Sequence, residues 1–204
     1  MAFSALSAAP GWKVISLLTT VTEDYERIAM HGVRTELLRE QAEAAGLPLR
    51  IVMIPAESTN ETYEMRMGQA LEEARADGIR TAAFGDLFLA DVRSYRERML
   101  SRGGMTAIFP LWGRPTPELA RDFIDAGYRA VLTCVDTTQL DAAFAGREFD
   151  QSLLDDLPPK VDPCGENGEF HTFVYDGPCF SAPVGCSRGV QTLRDDRFQF
   201  CDLL

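Results

Sequence analysis

The stretch LPLRIVMIPAESTNETYEMRMGQALEEARADGIRTAAFGD, residues 47–86, decides the fold. Residues 47–55 form an apolar run closed by Pro55, which predicts a buried strand. Residues 60–78 repeat apolar positions at helical spacing. Asn60 stands where an N-cap belongs and Gly78 where a helix ends. Residues 80–86 return to a short strand. A strand, a helix and a strand joined by short links make the repeating unit of a parallel sheet.

The same rhythm extends both ways. KVISLLT (13–19) predicts a strand, and the segment 23–46 predicts a helix from about Val33 to Gly46. Residues 91–104 read as a helix, 106–113 as a strand, 116–127 as a helix and 128–135 as a strand. The expected fold class is α/β, a doubly wound parallel sheet covered on both faces. After residue 136 the pattern changes. A loop-rich stretch leads to the strand EFHTFVYDG (169–177), and residues 189–204 predict a hairpin turning at 194–197. The expected domains are therefore 1–128, and a smaller α+β domain over 129–204.

Composition narrows the function classes. The chain has 204 residues, 46% of them hydrophobic, enough for a substantial core. It carries 31 acidic against 20 basic residues, a formal charge of −11. That balance argues against non-specific binding to nucleic acid or to anionic membranes. It leaves room for one anionic small ligand held by local donors. No apolar run approaches the roughly 20 residues needed to span a bilayer. Cys134, Cys164, Cys179, Cys186 and Cys201 are odd in number and include no CxxC pair, so they read as reduced thiols of a cytoplasmic protein. With only His31 and His171 beside them, no structural zinc centre is expected.

Ligands of open α/β sheets bind beyond the carboxyl ends of the strands. Those ends carry Thr19 and the pair Gly85-Asp86, where glycine admits a ligand to the backbone and Asp86 offers a carboxylate. A plain turn is the alternative. MHGV (30–33) precedes a helix, so His31 and Gly32 are candidates to hold a phosphate or carboxylate on backbone N–H groups. Asp91 opens the helix 91–104. The densest chemistry lies in GENGEFH (165–171). With a strand beginning at Glu169, Glu169 and His171 share one face, and Glu166 folds back from the turn. Two carboxylates and an imidazole suit Mg²⁺, an ammonium group or a proton in flight. A turn with exposed acids is the other reading.

MHGVRTELLREQAEAAGLPL (30–49), FGDLFLADVRSYRERML (84–100), IFPLWG (108–113), AGREFD (145–150) and DPCGENGEFHTFVYDGP (162–178) together resemble the diphthine–ammonia ligase family of PP-loop ATP pyrophosphatases, most of all its bacterial-type members. The resemblance implies the adenine nucleotide hydrolase (HUP) variant of the doubly wound sheet, with a small C-terminal domain. It also implies ATP with Mg²⁺, a carboxylate acceptor and ammonia, with AMP and pyrophosphate as products. The family's acceptor is diphthine on elongation factor 2. Carried onto this chain, Thr19, His31, Gly32, Gly85, Asp86 and Asp91 fall on the nucleotide side. Glu166, Glu169 and His171 fall on the acceptor side as catalytic residues.

The chain departs from the family at its start. The family opens with a strand and a serine-glycine-glycine-lysine-aspartate-serine loop around the ATP phosphates. MAFSALSAAPGWKVISLL contains neither, and its first residues resemble the helix that follows that loop. The resemblance then implies a natural start upstream of Met1. The other reading is a short chain with two unpaired strand edges, closed by re-pairing or by association such as a homodimer. Two rivals to the ligase stand beside it: an adenine-nucleotide-binding protein without catalysis, and a ligand-binding or oligomer-forming remnant.

Overall fold

A computed structural model describes all 204 residues, Met1–Leu204. In chain order the elements are α1 (Ala2–Ala8), β1 (Leu17–Thr22), β2 (Arg27–Ile28), α2 (Thr35–Ala44), β3 (Leu49–Ile54), α3 (Asn60–Ala76), β4 (Thr81–Ala83), α4 (Ala90–Arg102), β5 (Thr106–Ile108), α5 (Thr116–Asp125), β6 (Arg129–Asp136), α6 (Gln151–Asp156), β7 (Phe170–Asp176), β8 (Arg188–Arg194) and β9 (Phe198–Leu203). They form two compact units. The first comprises Met1–Glu26 and Leu47–Arg114, the second Arg27–Gly46 and Pro115–Leu204. The sequence places a boundary at 128/129. The units change at 114/115, and the second also takes in the segment around α2.

The first unit is α/β. β1 pairs in parallel with β3, from Leu17 opposite Leu49 to Thr22 opposite Ile54. β4 pairs in parallel with β5, from Thr81 opposite Thr106 to Ala83 opposite Ile108. α3 closes over this layer, with Met67 against Val52 and Ile54, and Leu71 against Leu100 and Met105. Its cap is Thr59, one residue before the expected Asn60: the Thr59 hydroxyl accepts from the Thr62 N–H. β5 stops at Ile108, well short of the expected Gly113, because Pro110 has no N–H to give the ladder and Trp112 N–H turns back to the Phe109 carbonyl.

The two parallel pairs lie in separate sheets. A cavity of about 560 Å³ is lined by both, Leu17 and Leu18 from one pair and Ala82 and Ala83 from the other, with Leu6 of α1 and Leu71 of α3. Residues 13–16, expected as strand, line the same cavity without strand pairing.

The second unit carries a four-stranded antiparallel sheet in the order β7-β6-β9-β8. β6 is buried from Ala130 to Asp136 and packs Leu132 against Phe149, Leu153 and Phe170. β8 and β9 form the expected hairpin. Asp195 and Asp196 both take positive φ, 52° and 48°, the geometry that matches a tight turn to strand twist. The helix expected from about Val33 to Gly46 is α2, Thr35–Ala44. Met30 and Gly32 sit at φ 61° and 67°, which a helix cannot contain.

Candidate functional site

The loop 162–169 is built around two carboxylates. Glu169 is 2% exposed. Its Oε1 accepts from Asp162 N–H at 2.9 Å and from Asn167 Nδ2 at 3.0 Å, and its Oε2 accepts from Asn167 N–H at 3.0 Å. Asp162 answers from the other end. Its Oδ1 accepts from the N–H groups of Cys164 and Glu166, and its Oδ2 from the Thr116 hydroxyl at 2.6 Å. Gly165 (φ 68°) and Gly168 (φ 81°) make the two tight corners. Glu169 thus points into the loop it organises, while the backbone of Glu166 is fixed from Asp162.

Beyond the loop, β7 carries His171. Its ring meets that of His31 at a centroid distance of 4.6 Å. His31 Nδ1 lies 3.2 Å from the Thr172 carbonyl oxygen. A carbonyl only accepts, so Nδ1 holds the proton and Nε2 is left as an acceptor. The sequence reading put these two histidines on opposite sides of the reaction; the fold sets them side by side.

The turn that presents His31 is clamped from β9. Asp202 accepts from Arg27 at 2.7 Å and from Arg34 at 2.5 Å, and Arg27 also donates to the Gly32 carbonyl at 2.6 Å. Burial raises the Asp202 carboxyl, but the hydrogen bonds and charges of Arg34 and Arg27 outweigh it and hold it at about 2. A Cβ on Gly32 would sit 2.7 Å from the Phe200 ring, so glycine is required at this close approach. The N–H groups of His31 and Gly32 close the turn on the Ala29 and Ile28 carbonyls, so this turn uses the donors expected to face a ligand.

Burial, and then the proximity of His31, lower the pKa of His171 to about 4. Burial lowers His31 as well, partly offset by its bond to Thr172. Both rings are therefore neutral at pH 7. Because its folded pKa lies below the unfolded value, the contribution of His171 to stability is complete above about pH 6.5 and is lost as pH falls toward 4. The expected result is a fall of roughly 2 kcal/mol in unfolding free energy between pH 7 and 4.5. Urea denaturation should show that slope in the native chain and a flatter one in His171→Phe. Equal slopes would contradict the assignment.

The other candidates lie in the first unit. Thr19 is in β1, opposite Ile51. Gly85 and Asp86 follow β4, and Asp91 lies in the first turn of α4, where a carboxylate meets the helix dipole. The Asp86 side chain is 9% exposed and accepts from Arg96 at 3.0 Å. Arg96 lies over the Phe84 ring, and Arg93 covers Phe109 and Trp112. The Asp86 carboxylate can accept from a ribose hydroxyl. Thr19, Gly85, Asp86 and Asp91 bring no lysine or row of N–H groups for a triphosphate, so no phosphoryl step is derived from them.

Three carboxylates that organise the second unit escaped the sequence reading. Asp162 carried a signal, since an Asp ahead of Pro-x-Gly commonly folds its side chain onto the following N–H groups. Asp202 carried none, because its partners are distant in sequence. Asp136 ends β6, and its main partner Arg197 lies 61 positions along the chain. It is 2% exposed and takes a bidentate bond from Arg197, at 3.0 and 2.6 Å, plus bonds from Thr138 and Gln139.

Comparison with known proteins adds a separate line of support. A family model for the diphthamide synthase N-terminal domain matches residues 3–107, and one for the diphthamide synthase C-terminal domain matches residues 115–194. The diphthine–ammonia ligase of Homo sapiens is 28% identical over 179 residues, covering 78% of this chain and 64% of the relative. That of Schizosaccharomyces pombe is 23% identical over 194 residues, covering 85% of this chain and 32% of the relative. The chain therefore spans between about a third and just under two thirds of these relatives.

Proposed function

The chain belongs to the diphthamide synthase family, and from that premise we propose that it is an ATP-dependent ligase joining ammonia to a carboxylate; the relatives are named diphthine–ammonia ligases. The observation that carries the reading is the loop 162–171, a hydrogen-bonded turn that holds Glu166 and leads to His171, whose ring meets that of His31. In this reading the acceptor carboxylate attacks the α-phosphate of ATP, with Mg²⁺ as its counter-ion. Pyrophosphate leaves, and ammonia then displaces AMP to give an amide. ATP supplies the activation of the carboxylate. The chain's own work is to seat the acceptor and to take a proton from the attacking ammonia. His31, with Nε2 open as an acceptor, and His171 are suited to that task at pH 7. Glu169 acts by holding the loop. Diphthine is the acceptor class the relatives' names point to. A cytoplasmic setting, consistent with five free thiols, belongs to the same proposal.

His171→Ala tests the proton-transfer role. Amide formation is expected to fall by about 10²-fold, with ATP affinity unchanged within a few fold. Retention of full activity would remove the imidazole pair from the mechanism.

The fold reading has a proposal of its own. The cavity between the two parallel strand pairs is the place of a central strand, which would join them into one doubly wound sheet. A chain extended before Met1 by a short apolar strand and a glycine-rich phosphate loop is expected to melt several degrees higher and to gain ATP affinity. An unchanged melting temperature would show the cavity to be no strand site. Without such a strand, edge pairing in a homodimer is the other way to cover the edge of β4. Nucleotide binding without turnover is the second reading of function. It is favoured by the Asp86 carboxylate, which can accept from a ribose hydroxyl, and it predicts ATP binding with no AMP released.

A further inference from the structure

The antiparallel sheet of the second unit is split, and the split makes another site. β6 pairs with β9 only over Cys134–Asp136. Beside Ala130–Leu132 the neighbour is the segment 146–149. Gly146 N–H donates to the Leu132 carbonyl, Leu132 N–H to the Arg147 carbonyl, and Phe149 N–H to the Ala130 carbonyl. β8 slips register between Arg188 and Gln191, as bulged strands do beside functional openings.

Glu148 and Arg188 meet in this opening. Arg188 Nη2 donates to Glu148 Oε1 at 2.6 Å, and the Tyr175 hydroxyl donates to Glu148 Oε2 at 2.7 Å. This ion pair is the shared wall of two cavities, of about 430 and 370 Å³. The first is polar, with Arg147, Asp150 and Gln191 on its sides. The second is walled by Val131, Cys186, Leu203 and the Tyr175 ring. The motif AGREFD (145–150) supplies Arg147, Glu148 and Asp150, and the ligase reading gives it no task.

We propose that this cleft binds a free α-amino acid, its carboxylate on Arg188, its ammonium on Glu148 and its side chain in the apolar cavity. The charges decide between ligand classes. Arg188 and Glu148 put one charge of each sign at the opening, while Arg147 is paired with Asp156 and the Asp150 carboxylate caps α6. A phosphate would lie against the Glu148 carboxylate, and a bare cation against the Arg188 guanidinium. A zwitterion meets both signs at the distance of one carbon. It enters by parting a half-exposed ion pair, which solvent keeps weak. The Tyr175 hydroxyl keeps Glu148 in place while Arg188 turns to the ligand. Burial pushes the thiols of Cys186 and Cys201 up, so neither wall offers a thiolate, and the site binds without a covalent step. This inference is independent of the ligase reading.

The test is a titration of the full chain with L-leucine, followed by amide resonances near Glu148, Tyr175 and Arg188. Isoamylamine, 4-methylpentanoate and inorganic phosphate serve as comparison probes. Saturable shifts are expected for L-leucine, with affinity at least about tenfold above the amine or the acid alone. Arg188→Ala should weaken binding at least about tenfold with the remaining spectrum unchanged, since its side chain is 52% exposed. Tyr175→Phe, which removes only the hydroxyl, should weaken it severalfold. The proposal is overturned if L-leucine produces no saturable shift, if Arg188→Ala binds it equally well, or if phosphate binds more tightly.

Discussion

Replacing Glu169 by Gln is expected to abolish amide formation and to lower stability by about 2 kcal/mol, with ATP affinity changed by no more than a few fold. The substitution keeps the shape of the side chain. It changes one oxygen into an NH₂ group at a site where three donors converge. The remaining carbonyl can serve the two donors at the Oε1 position. The new amide then faces the Asn167 N–H, donor against donor, in a buried place. An unpaired buried N–H costs about 1–3 kcal/mol, and the charge that strengthened the other two bonds is gone as well. The loop 162–169 then relaxes, and Glu166 and His171 lose their relative placement. Urea denaturation and an amide assay on the same preparation check both halves. Full activity in Glu169→Gln would show that the loop's order is irrelevant to the reaction.

Gly165→Ala is expected to be as damaging, by about 3 kcal/mol or more. At φ 68° any side chain is strained, and the added Cβ would stand 2.7 Å from the Phe170 carbonyl oxygen and 3.1 Å from its ring. Phe170 is the first residue of β7 and 3% exposed, so its backbone cannot yield without shifting the strand that carries His171. Gly168 is the internal control. It has φ 81°, but nothing lies within 4 Å of an added Cβ. Gly168→Ala should therefore cost only about 1 kcal/mol. Equal effects at the two glycines would mean that backbone strain alone, and not the close approach to Phe170, sets the cost.

The regular part of the fold was legible because local chemistry and tertiary packing agree there. Between residues 49 and 83 the apolar run, the helical spacing and the glycine after α3 all give the observed β3-α3-β4 order. The hairpin of β8 and β9 was equally plain. Reading stopped short where backbone geometry, not pattern, sets the path. Ahead of the helix expected from about Val33 the pattern assigns no element, and the positive φ values of Met30 and Gly32 fold that stretch into the turn that presents His31. α6 was read as loop although Asp150 is a sound cap, its carboxylate accepting from the Leu153 N–H. Six residues carry too little periodicity to show.

The candidate site divides in the same way. The tight corners of GENGEFH followed from its glycines. The inward aim of Glu169 did not, because only its acceptor count in three dimensions reveals it. The contact between His31 and His171 joins positions 140 apart, and the bond from Thr116 to Asp162 joins positions 46 apart. Such pairings are set by the sheet, and no local spacing announces them.

The most direct test of the central claim is a product analysis by phosphorus NMR. Mg-ATP, ammonium and a diphthine-bearing acceptor are mixed with the protein, and each component is then omitted in turn. The ligase reading predicts AMP and pyrophosphate in one-to-one ratio with amide, and neither product when acceptor or ammonium is left out. Formation of ADP and phosphate, or of AMP without amide, would contradict it.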